Sequence, residues 1–408
     1  MIMQRTSGIA ALVALTTLAA GVPAHASERP AREITAKVET PALYDDEAGG
    51  NADADDPAIW INQANRARSL VIGTAKNGGL RVYDLTGREV QSIATPEGGR
   101  FNNVDLISGF KLGNQRVDLA VVTDRGLDKL RIYRITSAGL TDVTAADAPL
   151  LFSKDEAEAK EQATGYGLAT YDRYAVVSRR HSTRLGIFRL VEKNGRVTYR
   201  TSDTLDLPSS FRLPNGGTWS PCEEPGEGPQ IEGMVVDAEA GVLYAAQEDV
   251  ALWRINLAGG TFSSIPRIVE KVKEYGVPAS WDPDAEECLL DSAKDPGFGG
   301  RIAADVEGAT IYSTGKQDGY VIVSSQGDSK FYVYDRRTNR PITLFTVTDG
   351  PKADGVQHSD GAAATSVALP GYPKGLLVLH DGENTPGDGR TSTNFKFIDW
   401  RNLHLAKI

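Results

Sequence analysis

Apolar and polar positions along the chain follow one recurring pattern. A run of consecutive apolar residues is followed by a polar turn and then by a segment in which every second residue is apolar. The pattern appears at 69–74 with 79–84, 117–122 with 129–134, 174–178 with 185–190, 241–246 with 251–255, 319–325 with 330–335, and 374–379 with 394–399. The continuous runs suit strands buried on both faces, and the alternating segments suit strands with one drier face. A further short strand precedes several pairs, as at 57–61, 232–236 and 307–312, and another follows at 341–347. Four antiparallel strands in six copies predict an all-β fold, a six-bladed β-propeller of four-stranded antiparallel blades. A double β-sandwich is the alternative, which six copies of one pattern disfavour. No stretch with helical periodicity competes.

The first 26 residues break the pattern. Arg5 precedes an apolar stretch from Ile9 to Ala20, and Ala24-His25-Ala26 matches a small-residue cleavage site. This predicts a cleaved signal peptide over 1–26, an N-terminal extension over 27–50 and the propeller over 51–408. The apolar stretch is short for a membrane anchor, and no other segment is long and apolar enough to span a bilayer. A secreted or periplasmic protein with no membrane partner is expected, in monomeric form. In an oxidising compartment Cys222 and Cys288 are expected to pair, with two separate buried thiols as the alternative.

Composition then narrows the partners. The chain of 408 residues carries 44 Lys+Arg against 54 Asp+Glu, a formal net charge of −10. Such an acidic balance argues against a nucleic-acid partner and leaves room for a cation. Forty-two Gly and 20 Pro fit a fold rich in hairpin turns.

In a propeller, residues at the start of each innermost strand and just after the next strand converge on one mouth of the central channel. Those positions hold Asp55, Asp56 and Lys76 in the first repeat, and Asn102, Asn103, Asp105, Asp124 and Arg125 in the second. The third repeat gives Tyr166, Arg179 and Arg180, and the fourth Glu232, Gln247, Glu248 and Asp249. The fifth gives Asp305, Glu307, Gln326 and Asp328, and the sixth Asp354, Asp360, Asp381, Glu383 and Asn384. Bases come from the first three repeats, while acids and amides dominate the last three. Oxygen donors in such number, with no His or Cys among them, suit a hard cation such as Ca²⁺. The bases opposite suit phosphate, with Arg offering a two-pronged grip. Taken singly, each acid is equally well explained as a turn cap; only the convergence points to a site. No nucleophile elbow, P-loop, His-Glu-x-x-His pair or cysteine- or histidine-based phosphatase motif is present, which leaves metal-assisted attack by water.

The segments Asp55-Asp-Pro-Ala-Ile-Trp, Asn102-Asn-Val-Asp, Glu232-Gly-Met, Asp305-Val-Glu-Gly, Ser324-Ser-Gln-Gly-Asp, Thr348-Asp-Gly-Pro and Asp381-Gly-Glu-Asn resemble those of the β-propeller phytases. The resemblance runs in order over nearly all of the chain after the leader. It implies a secreted, Ca²⁺-dependent phosphomonoesterase acting on phytate (myo-inositol hexakisphosphate). By the same resemblance the cleavage subsite comprises Asp55, Lys76, Arg125, Tyr166, Glu232, Asp305, Glu307, Gln326 and Asp360, with several calcium ions bridging the acids and Glu248 nearby. Structural calcium falls to Asp56 and the Val104 carbonyl and, elsewhere, to Asp354, Asp381, Glu383 and Asn384. A neighbouring phosphate subsite is implied too, but there the chain departs from the family. Asn77 stands where a second Lys is common, Arg180 replaces a Lys and Gln247 replaces a Glu. The insertions 208–230 and 265–301, one cysteine in each, are also outside the family pattern. A calcium lactonase or phosphodiesterase on the same fold, and a calcium-stabilised propeller that binds phosphorylated ligands without turnover, are the competing readings.

Overall fold

The computed structural model describes residues 30–405, so the expected signal peptide over 1–26 lies outside the described residues. Six antiparallel sheets stand around a central channel. Their innermost strands are Pro57–Trp60, Phe101–Leu112, Gly165–Tyr171, Ile231–Asp237, Val306–Gly315 and Ala362–Thr365. Each packs against the innermost strands of its two neighbours, and the ring closes between the sixth and first. This is a six-bladed propeller. Among the described residues the only α-helix is Glu156–Ala159, and no helix is long and apolar enough to cross a membrane.

The continuous apolar runs become the second strand of each blade. Leu70–Thr74 and Val242–Gln247 are buried along their whole length, since these strands have a neighbouring blade on either face. The core is accordingly a series of layers between blades rather than one centre. Ala58, Ile72, Phe101 and Val122 join the first and second blades, and Val71, Tyr83, Val378 and Phe395 join the sixth and first.

Residues 32–44, assigned to an N-terminal extension from sequence, supply strands to the propeller instead. Arg32–Thr35 adds a fifth strand to the fifth blade, parallel to Pro341–Thr348. Val38–Glu39 and Leu43–Tyr44 pair with Ser392–Asp399 and complete the sixth blade. The sequence pattern misses them because they are short and half exposed, without the periodicity of an inner strand. Their backbone covers edges that would otherwise offer unpaired N–H and C=O groups.

The two insertions are also more ordered than their composition suggests. Residues 208–230 carry a small hairpin of Phe211–Arg212 with Thr218–Trp219, and the second insertion another of Ala279–Asp282 with Glu287–Leu290. The stretch 265–301 begins, however, with the outer strand of the fourth blade, Arg267–Lys271. Trp219 packs on Tyr275 with ring centroids 4.6 Å apart and donates to the Val277 carbonyl at 2.9 Å. Cys222 and Cys288 form a disulfide that ties the two insertions together, as expected.

Removal of residues 1–50 tests the role of the N-terminal strands. The truncated chain is expected to melt at lower temperature than the protein lacking only 1–26, and to associate through the two uncovered blade edges. Circular dichroism melts and light scattering check this; identical melts would show that the strands add nothing.

Candidate active site

Four of the six innermost strands begin with a β-bulge. One extra residue is inserted between Phe101 and Val104, Gly165 and Leu168, Ile231 and Met234, and Val306 and Ala309. A bulge re-aims the side chain it carries, and these carry Asn102, Tyr166, Glu232 and Glu307. Asp55 and Asp360 precede the innermost strands of the first and sixth blades, so six blades present six polar side chains at one level.

The residue after the site residue lets the blades approach. A Cβ on Gly233 would lie 1.6 Å from the Glu307 carbonyl oxygen, and one on Gly167 would lie 2.0 Å from that of Glu232. Only glycine fits at such a contact. The ring is thus held by backbone touching backbone.

Within it the contacts are short. Tyr166 donates its hydroxyl to Glu232 Oε2 at 2.6 Å, and Asn102 donates Nδ2 to Glu232 Oε1 at 2.5 Å. Arg125 donates to Asn102 Oδ1 at 2.8 Å and lies with its guanidinium 5.7 Å from the centre of the Tyr166 ring. Lys76 Nζ sits 3.9 Å from Asp55 and 3.8 Å from Asp360. Gln326 donates to Asp360 Oδ1 at 2.5 Å.

The acids are crowded and dry. Glu232, Glu248 and Glu307 are all buried, and each offers an oxygen within 4.8 Å of the others. Burial pushes the carboxyls of Glu307, Glu248 and Asp55 well above their ordinary range, and neighbouring carboxylates push them further. Asp360 rises from 3.8 to about 7, through burial and through Glu232, against the pull of Lys76. Asp305, half-buried beside them, is raised by burial as well. Burial would also raise Glu232, but hydrogen bonds from Glu307 and Tyr166, with Lys76 and Arg125, hold it below the ordinary range. Glu232 is thus the acid of the cluster whose ionised form is favoured, and its hydrogen bond with Glu307 favours the protonated form of that partner. Asp55 Oδ1, Glu248 Oε1 and Glu307 Oε2 are buried with no hydrogen-bond partner. Buried polar atoms are normally satisfied. Orphaned carboxylate oxygens converging on one point form a donor set that fits a hard cation.

The bases stand to one side. Arg125 and Arg180 come from the second and third blades and, among the described residues, make no ion pair with a carboxylate. Sequence reasoning missed Arg100, which joins them; it donates to Asn77 Oδ1 at 3.1 Å. Burial, with repulsion from Arg125 and Arg180, lowers Arg100 to about 10. The Nε atoms of all three are buried without a partner, so the cluster is electrostatically open to an anion.

Other expected residues lie apart from this ring. Asp56 accepts from the Val104 backbone N–H at 3.0 Å, deeper in the channel. There Asp105, pushed to about 6 by burial, accepts from the Thr170 N–H and hydroxyl. Asp354, Asp381 and Asn384 gather in the sixth blade around the fully buried ammonium of Lys396. Its Nζ is 3.0 Å from Asp381, 3.1 Å from Asn384 and 2.8 Å from Glu39, and in contact with Asp354. Glu383 points outward and pairs with His358 at 2.7 Å. A cation of the chain's own thus sits among these oxygens.

Two further residues, Gln230 and His380, escaped sequence reasoning, while Asn102 stands at the mouth position its repeat register gives it. Asn102 occupies the same register as Glu232 and Glu307, so the repeat itself marks it. Gln230 links two blades: it accepts from the His181 N–H at 3.0 Å and donates to Glu248 Oε2 at 2.9 Å, leaving the other Glu248 oxygen facing the acids. His380, neutral because burial lowers it to about 3, accepts the Asp360 N–H at 2.9 Å. Neither Gln230 nor His380 lies at a position that the repeat picks out.

Two outcomes follow. Lys396→Met strands the surrounding carboxylates without a counter-charge and is expected to cost about 3 to 5 kcal/mol, read by urea unfolding in chelator; a loss below about 1 kcal/mol would mean that the ammonium is not needed. In the metal-free protein, a carboxyl raised on folding favours the protonated native state. The contribution of Asp360 is complete below its ordinary 3.8 and is lost as the pH rises through about 7. Unfolding at stepped pH is expected to show stability falling over that window, and a rise would contradict it.

The family model described as Phytase matches residues 3–194 and 279–406. The unmatched span holds the fourth blade, with Glu232 and Glu248, so those two rest on the geometry above. The 3-phytase of Bacillus subtilis (strain 168) is 30% identical over 417 residues, covering 100% of this chain and 94% of that one. Among solved structures, regucalcin, a calcium-binding protein from Agrobacterium tumefaciens strain C58, is similar with a TM-score of 0.46 at 12% identity, over 90% of this chain and 95% of that one. The β-propeller domain of Cps50 (Swd1) from Myceliophteria thermophila gives 0.39 at 12% identity, over 83% and 82%. On its family match and its 30% identity to a 3-phytase over its full length, this chain belongs to the phytase family.

Proposed function

We propose that the protein is a calcium-dependent phosphomonoesterase that releases inorganic phosphate from phytate. The observation that carries this reading is the juxtaposition of orphaned buried carboxylate oxygens with guanidiniums that lack a carboxylate partner. Glu232, Glu248 and Glu307, with Asp55, Asp305, Asp360 and Gln326 around them, would hold the metal, and Asp56 with Val104 would hold another deeper in the channel. Bound calcium supplies the positive charge that the clustered acids lack, draws in phosphate oxygens and acidifies water.

The chain's own groups do the rest. Arg125 grips phosphate oxygens and stabilises charge as it shifts in the transition state. Its position is fixed by Asn102, which also fixes Glu232. Lys76, whose ammonium is favoured by Asp55 and Asp360 despite its burial, presents a second positive charge beside the acids. Tyr166 holds Glu232 in one orientation through its hydroxyl. Water attacks phosphorus, the bond to the inositol oxygen breaks, and no covalent enzyme intermediate is needed. Arg180 and Arg100 lie where a neighbouring phosphate of the same substrate would be held. The expected export of the protein fits its disulfide.

Calcium is expected to be required for phosphate release from phytate at neutral pH, and chelation is expected to lower the melting temperature, because metal bound only to the native state stabilises it. Folded protein with added calcium that releases no phosphate would overturn the proposal. Glu232→Gln should reduce turnover by at least about 100-fold while leaving the fold intact; retained turnover would remove Glu232 from the catalytic set. Hydrolysis of a lactone or a phosphodiester in preference to phytate would favour the competing readings.

A further inference from the structure

A second cluster of bases lies away from the mouth, between the second and third blades, where Arg116 donates to the Gly109 carbonyl at 2.9 Å. A cleft of about 780 Å³ is lined there by Lys111, Arg116, Arg173 and Arg189, with Asp172 and Glu192 at its side. Arg116 lies near the start of the strand Gln115–Asp124 and Arg125 just past its end, which places this cleft roughly 30 Å from the mouth at the rise of an extended strand.

Three observations mark these bases, of which Lys111, Arg116 and Arg173 are exposed and Arg189 is half-buried. Among the described residues, none of the four makes an ion pair with a carboxylate. Glu192 accepts from the Gly195 N–H at 2.7 Å through one of its oxygens. The strand register also places like charges directly across from one another: Lys111 faces Arg116, and Arg189 faces Arg200. Such pairs repel, and a sheet retains them at a cost in stability. Finally, Arg189 Nε is buried with no hydrogen-bond partner, although a buried donor is normally satisfied. A multiply charged anion in the cleft would relieve all three at once, and a single monovalent ion would leave the opposed pairs largely uncompensated.

We infer that this cleft is a second anion-binding site, which takes a compact ligand carrying two or more phosphate or sulfate groups and is separate from the acid-lined mouth. Guanidiniums suit it because each offers a planar pair of N–H donors to such groups. The same headgroup chemistry could be presented by a free phosphorylated polyol or by an anionic lipid surface. The concave shape and molecular volume of the cleft favour the free ligand.

The test uses the full calcium-loaded protein, with myo-inositol hexasulfate as a probe that phosphate release cannot consume. Isothermal titration is expected to show a site that survives in Glu232→Gln protein and weakens on the order of 100-fold in an Arg173→Gln/Arg189→Gln double variant. Phosphate release from phytate by the double variant should equal wild type, which separates failure here from failure of the mouth reading. The Arg173→Lys/Arg189→Lys variant should recover part of the binding, which distinguishes lost charge from lost structure. Binding unaffected by the double glutamine variant would overturn the inference. So would sedimentation of the protein with phosphatidic acid vesicles, dependent on these arginines, without binding of the soluble probe.

Discussion

The structure turns on the mutual repulsion of carboxylates brought together in a dry place. Glu232, Glu248 and Glu307 converge within 4.8 Å at the axis of the ring, supported from the first and sixth blades by Asp55 and Asp360. Like charges at that spacing cost about 4 kcal/mol per pair even at an effective dielectric near 20. In the metal-free protein this repulsion, together with burial, raises most of these groups above their ordinary range and so favours protonation, while hydrogen bonds and the nearby bases hold Glu232 below it. A hard cation removes the need for those protons. The same feature therefore accounts for the titration behaviour, the orphaned oxygens and the fit to calcium.

The scaffold makes the crowding possible. Backbone contacts at Gly167 and Gly233 bring neighbouring strands closer than any side chain would permit, and bulges aim the first polar residue of four blades inward. The layers of apolar residues between blades hold this arrangement from outside. The termini contribute directly, since Val38–Glu39 and Leu43–Tyr44 complete the last blade and Glu39 reaches the buried Lys396. Arginines from the second and third blades then face the acids across the mouth. A protein with a net charge of −10 thereby keeps a strongly positive surface where an anion would enter.

Much of this was legible from residue patterns because a propeller repeats one register. The continuous apolar run at 70–72 and its counterparts marked the second strand of each blade, and from them the mouth positions followed. Asp55, Tyr166, Glu232, Glu307 and Asp360 are found together for that reason. Asn102 shares their register, yet a lone amide carries little signal until its bond to Glu232 is seen. The outer strands at 32–44 were illegible because strands of two to four residues on an edge have no periodicity to read. Gln230 and Arg100 were missed for another reason: each acts by reaching across to a different blade, and that distance exists only once the ring has closed. Lys396 reads from sequence as the polar member of an alternating strand. For Asp354, Asp381 and Asn384 the pattern revealed the oxygens but not the ammonium among them.

The central claim is that calcium takes the place of protons within the acid ring. Calorimetric titration of calcium into metal-free protein near neutral pH, repeated in two buffers of different ionisation enthalpy, counts the protons released on binding. The expected result is net proton release on calcium binding, with a smaller release in Glu307→Gln protein. Calcium binding with no proton release, or no calcium binding at all, would contradict the claim.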